Sequence, residues 1–254
     1  MASTIAGYQL ISRNLVRSLE QIARKPDVSR DTSYYLAHIG EVKSADDFIK
    51  DYRLFSYAMK AYGLSDMTYA KAFLHKVLTE GISGSTTFVD ARYREFAAAF
   101  DFASLGEYAT QTEAATSGTV GKYLRQTLEE DAGQENEGVR LALYFERKAP
   151  GIKNAYQILS DKALMRVVQT ALGISPLTAT ADIDKQAAML TEKIDFADFQ
   201  NPEKLRTFLQ RFSAMWETEN GQATLPPSIL INQPIEAGIS ATTLASLQRL
   251  KLGR

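Results

Sequence analysis

Cysteine is absent from the chain. Disulfides, thiolate metal sites and a cysteine nucleophile are therefore excluded. Histidine occurs only twice, at His38 and His75, and neither lies in HExxH or another ligand spacing. Tryptophan occurs once. Neither sign of charge dominates: 29 Lys and Arg stand against 30 Asp and Glu, a formal net charge of −1. No global field therefore draws the protein to nucleic acid or to an anionic bilayer. No apolar run approaches the roughly 20 residues of a membrane span. The first residues carry no basic cluster followed by an apolar core, so no secretory signal peptide is expected. Phosphate-binding GxxxxGK[ST], dinucleotide-binding GxGxxG and nucleophile-elbow GxSxG are all missing.

What is present is apolar periodicity. At 254 residues and 45% hydrophobic content, the chain can bury a sizeable core. Ile5, Leu10, Ile11, Leu15, Leu19 and Ile22 recur at helical spacing and predict a helix from Ser3 or Thr4 to just before Pro26. A second helix is expected from Ser29 to Ile39. Ser44-Ala-Asp-Asp47 has capping-box spacing, with Asp47 in the usual Glu position. It opens a predicted helix whose Phe48, Tyr52, Phe55, Met59 and Tyr62 form one stripe, ended by Gly63 as a left-handed C′ residue. Residues 104–118, rich in Ala, Thr, Ser and Gly, read as the break between two halves.

The halves resemble each other. Shifting the numbers by 110 aligns Arg30 with Arg140, Tyr34 with Tyr144, Lys43 with Lys153 and Ala45 with Ala155. It also aligns Asp51 with Asp161, Leu54 with Leu164, Ala61 with Ala171, Gly63 with Gly173 and Ser65 with Ser175. Leu15–Glu20 is echoed by Leu124–Glu129, one residue out of that register. The expectation is an all-α fold, an internally duplicated helical bundle with repeats over 4–103 and 119–219. A helix over 119–149 is expected to bridge the halves, which bury their apolar faces on a common interior. Pro226, Pro227 and Pro234 predict an extended strap within 220–254, followed by a short terminal helix, all in a single domain over 1–254.

Carboxylates are the remaining route to chemistry. Asp51 and Asp161 fall on the apolar stripe in both copies, where a lone acid would be costly. Arg30 and Arg140, Lys43 and Lys153, or Tyr34 and Tyr144 are available as partners. The specific pairing expected is Arg30 with Asp51 and Arg140 with Asp161, a structural role; an active-site acid is the rival reading. Asp90, Arg92 and Arg94 form a second polar cluster, read as an internal ion pair or, alternatively, as a site for an anionic ligand. No catalytic, metal-binding or cofactor-binding residue is assigned, and no cofactor is expected.

The stretches Tyr34-Tyr35-Leu36, Phe48-Ile49-Lys50-Asp51-Tyr52-Arg53-Leu54, Ala58-Met59-Lys60-Ala61-Tyr62-Gly63-Leu64, Asp90-Ala-Arg92-Tyr93 and Leu141-Ala-Leu-Tyr144-Phe-Glu-Arg147 together resemble one uncharacterised bacterial family, the domain-of-unknown-function family 1217. Its members occur in alphaproteobacteria, often beside flagellar genes. The resemblance implies a role linked to flagellar structure, assembly or regulation, in the cytoplasm or after export through a flagellar apparatus. It supplies no catalytic residues. The resulting reading is a non-enzymatic helical protein that binds protein partners, flagellar components among them, with no nucleic acid and no membrane span. Its rivals are a small-ligand module with a pocket between the repeats, and an enzyme using Asp51 or Asp161. The oligomeric state is not read from the sequence.

Overall fold

Helices interrupted by their own capping side chains build the molecule. The computed structural model describes residues 3–80 and 90–220; the strap and terminal helix expected beyond Asn220 lie outside them. Among the described residues there is no strand, and the fold is all-α. Met1–Glu219 form one compact unit.

The first expected helix is two, α1 (Thr4–Arg13) and α2 (Leu15–Ala23). Ser3 caps α1 through its side chain, as anticipated. Asn14 leaves helical geometry at φ −123°, ψ 38°, and its amide donates back to Leu10 O at 3.3 Å. An asparagine side chain that competes for the backbone in this way breaks a helix readily. Pro26 opens α3 (Pro26–His38) from its first position instead of preceding it, because a proline there loses no hydrogen bond.

The predicted stripe helix is also divided, into α4 (Ala45–Lys50) and α5 (Tyr52–Ala61). Asp51 sits between them in non-helical geometry, so it does not continue the face of Leu54, Ala58 and Ala61 as expected. Tyr52 consequently points outward, 63% exposed, while Phe48, Phe55 and Met59 are fully buried. Ser65–Met67 form a 3₁₀ turn, and α6 spans Lys71–Glu80. α7 (Ala91–Ala99) and α8 (Phe102–Leu105) follow.

Residues 104–118 are ordered turns, largely exposed but anchored by a few buried side chains. They form a 3₁₀ segment, Gly106–Gln111, and a π-helical turn, Ala114–Gly118. Ala109, Thr110 and Ala115 are buried. Thr110 donates to Val42 O at 2.8 Å, and Tyr35 donates to Ala115 O at 2.6 Å. Hydroxyl groups that satisfy buried carbonyls let so polar a composition enter a core.

The bridge predicted over 119–149 is a pair, α9 (Thr119–Glu135) and α10 (Glu137–Lys148). Asn136 separates them, and its side chain accepts from the amides of Gly138 at 2.8 Å and Val139 at 3.3 Å. Gly138 is required by close approach: a Cβ there would meet Trp216 Nε1 at 2.6 Å and Thr4 Cγ2 at 2.8 Å. The chain continues through α11 (Ala155–Leu159), α12 (Lys162–Leu172), α13 (Ile183–Lys193) and α14 (Pro202–Asn220).

The interior is not common to both halves. One core gathers Tyr35, Phe48, Phe55, Met59, Leu74, Phe96 and Phe100, with Tyr123 and Leu128 of α9. A second gathers Phe145, Ile158, Val167, Val168, Leu190, Leu209 and Phe212, with Tyr8 of α1. Ile11 packs against both. The polar sides of α9 and α10 lie between the two cores, and that placement creates the site.

Candidate functional site

Asp51 and Asp161, the two acids that the sequence pattern pairs, are both helix caps. Asp51 Oδ1 accepts from the amides of Arg53 and Leu54, both at 3.0 Å, and so caps α5. Asp161 Oδ1 does the same for α12, accepting from Ala163 at 2.8 Å and Leu164 at 3.1 Å. The remaining oxygen takes a tyrosine: Tyr34 donates to Asp51 Oδ2 at 3.1 Å, and Tyr144 donates to Asp161 Oδ2 at 2.6 Å. The expected arginine partners are elsewhere. Arg30 is exposed, and Arg140 is paired with Glu137, its Nε donating to Oε2 at 2.7 Å. An acid placed one residue before a helix is best used by that helix's free amides, which fix the carboxylate away from its arginine.

Tyr144 is held above its ordinary pKa of 10.0, by burial first and then by the charge and hydrogen bond of Asp161. Tyr34 is raised as well, mainly by its bond to Asp51. The other predicted cluster resolves as a local clasp. Arg92 donates through Nε and Nη2 to Asp90 at 2.9 and 2.7 Å, and through Nη1 to Gly63 O at 2.6 Å. Arg94, two residues on, is exposed. His38 lies 3.2 Å from Glu41, and His75 lies 3.6 Å from Asp46. Among the described residues, no group of three or more His, Asp or Glu side chains could hold a metal ion.

A denser polar assembly lies on α9 and α10, between the two cores. Glu129 is 2% exposed. Its Oε1 accepts from Arg125 Nε at 3.0 Å and Arg147 Nε at 2.8 Å, and its Oε2 accepts from Arg147 Nη2 at 2.7 Å. Arg125 also donates to Leu143 O at 2.9 Å, and Tyr8 donates to Glu146 Oε1 at 3.1 Å. These bonds join α1, α9 and α10. Every buried charge is thereby matched, the condition under which burial is tolerated.

Beside this network is a cleft of about 520 Å³, lined by Glu95, Gly118, Gly121, Lys122, Arg125, Arg147 and Lys148. Glu95, on α7, accepts from Lys122 Nζ at 3.1 Å and Lys148 Nζ at 2.9 Å. Burial favours its protonated form, but the two ammonium groups outweigh burial and hold the carboxyl below its ordinary value. Four cationic side chains thus face one lining carboxylate. The sequence reading did not identify this cleft. Its one legible signal is the i, i+4 pair Arg125 and Glu129 on α9, since Glu95, Lys122 and Lys148 converge only in three dimensions.

The family described as "Protein of unknown function (DUF1217)" matches residues 61–205, more than half of the chain. The X-ray crystal structure of a protein from Agrobacterium tumefaciens is 53% identical, covering 86% of this chain and 94% of that one with a TM-score of 0.79. No curated protein matches the chain. No helix among the described residues is long and apolar enough to cross a membrane.

Proposed function

The chain belongs to the DUF1217 family, and on that premise we propose that it is a non-enzymatic helical interaction protein linked to flagellar structure, assembly or regulation. The observation that carries the non-enzymatic part is the engagement of Asp51 and Asp161. Each carboxylate has one oxygen committed to two backbone amides and the other to a tyrosine. Three of the roughly four acceptor positions on each carboxylate are thereby turned to the fold, whereas an acid or base has to turn its oxygens to substrate. The flagellar part rests on the family resemblance alone.

The frame of this reading is an internal duplication within one domain. Equivalent backbone contacts at an offset of 110 support it. Leu64 N donates to Met59 O and Ile174 N to Gln169 O, both at 2.8 Å, and Gly63 and Gly173 take φ of 68° and 65°. Leu10 and Val16, 69% and 73% exposed on α1 and α2, supply apolar contacts of the kind a partner covers. The test is a pull-down with the tagged full chain from its native bacterium, joined to a motility assay on a deletion strain. Enrichment of flagellar components and impaired swimming are expected. Normal swimming with no flagellar protein retained would overturn the reading.

A second reading, a small-ligand module, is favoured by the cleft between α7, α9 and α10. That cleft joins side chains from both proposed repeats.

A further inference from the structure

We propose that the cleft where α7, α9 and α10 meet binds the phosphoryl group of a small phosphorylated molecule; this rests on the small-ligand reading above. Charge is the first support. Lys122, Arg125, Arg147 and Lys148 line the cleft against Glu95 alone. Glu129 and Glu146 hold the two arginines from behind and still leave the assembly one charge positive. A cation would enter against that field, and a doubly charged oxyanion enters with it. Each lysine ammonium has three donors, and Glu95 takes one from each. Lys122 Nζ also sits 5.0 Å from the centre of the Tyr62 ring, which leaves donors on both ammonium groups to meet phosphate oxygens, and Glu95 acts as the strut that draws them to one wall.

Gly121 is the second, independent support. It lies inside α9, where glycine costs stability relative to alanine through backbone entropy. The usual compensations are missing: its φ is not positive, and a Cβ built there meets nothing within 4 Å. Packing does not ask for this glycine. What its bare Cα does is keep one wall of the cleft open. The volume, about 520 Å³, is in the range of small-molecule sites and exceeds the needs of a lone inorganic ion. The amides at the start of α9 take no part, because Gly118 is already helical and its N–H bonds Glu113 O at 2.8 Å. Side chains do the binding.

The test is calorimetric titration of the full-length chain with pyrophosphate at low ionic strength. Saturable binding that weakens with added salt is expected. Gly121→Leu puts a Cβ where nothing lies within 4 Å, and its longer side chain should narrow the cleft and abolish binding while circular dichroism and the melting temperature show the fold retained. Lys122→Gln and Lys148→Gln should each weaken binding about tenfold, the usual loss for one charge-assisted hydrogen bond. Pyrophosphate binding that ignores Gly121→Leu, or no binding at all, overturns the proposal. Mass spectrometry of molecules carried through purification separates the two levels of claim. A neutral or cationic compound retained by the wild type and lost from Gly121→Leu would refute the phosphoryl assignment and keep the small-ligand reading. If that variant loses nothing and pyrophosphate does not bind, both fall. Saturable binding of poly-glutamate in place of pyrophosphate would assign the cleft to an acidic protein partner and refute the proposal.

Discussion

Tyr144 donates its phenolic hydrogen to Asp161 at 2.6 Å, tying the middle of α10 to the N-cap of α12. Tyr34 and Asp51 repeat the arrangement between α3 and α5. Tyr144→Phe should lower stability by about 1 kcal/mol, the net worth of a typical hydrogen bond, with no change in helix content. Chemical denaturation with circular dichroism checks it. Tyr34→Phe, at a more solvated site, should cost less. A larger loss at position 34 would contradict the assignment.

Glu129 is the hinge of the polar layer. Glu129→Ala leaves the buried Arg125 and the half-buried Arg147 without their shared countercharge and should cost about 3–5 kcal/mol. Replacing all three residues by apolar side chains of similar volume should recover most of that loss. The comparison is made by urea unfolding of the single and triple variants.

Glycine replacements should divide by mechanism. Gly173→Ala forces a side chain into the left-handed region in otherwise open space, and should cost about 1–2 kcal/mol. Gly138→Ala drives a methyl group into Trp216 and Thr4, so it should cost more and should quench or shift the fluorescence of the single tryptophan. Equal losses with unchanged fluorescence would contradict this division.

Acid stability should depend on Glu95, whose folded pKa lies below the ordinary 4.5 because the Lys148 and Lys122 ammonium groups outweigh burial. A depressed carboxyl contributes stability above its unfolded pKa, and that contribution is lost as pH falls through the folded value. The melting temperature of the wild type should therefore drop more steeply below about pH 4.5 than that of Glu95→Gln. Parallel curves would refute the claim. At the alkaline end Tyr8, Tyr35, Tyr57 and Tyr144 are raised, chiefly by burial. Their contribution is complete below the ordinary value of 10.0 and falls as pH rises beyond it.

The sequence disclosed helix type and end signals because these are local. Ser3, Ser44, Gly63 and its match Gly173 act where capping chemistry placed them. It misled where one side chain had two local uses. Asp51 fits a helical stripe by spacing and an N-cap by chemistry, and two free amides decided for the cap. Asn14 and Asn136 divided helices for the same reason. Residues 104–118 looked like linker because composition does not reveal that Thr110 and Ala115 meet the Val42 carbonyl and the Tyr35 hydroxyl. The cleft was out of reach for another reason. Glu95 and Lys148 are far apart in sequence, and no periodicity marks a side chain that meets its partner only after packing.

Asp51 and Asp161 hold the fold together as caps of α5 and α12. Thermal and urea unfolding of Asp51→Ala and Asp161→Ala measures it, since removing a cap destabilises, whereas removing a strained catalytic acid commonly stabilises. Each variant should lose about 1–2 kcal/mol, with Asp161→Ala losing at least as much as Asp51→Ala because Tyr144 is left buried without its acceptor. Unchanged or increased stability in either variant would contradict the claim and return that aspartate to the list of candidate catalysts.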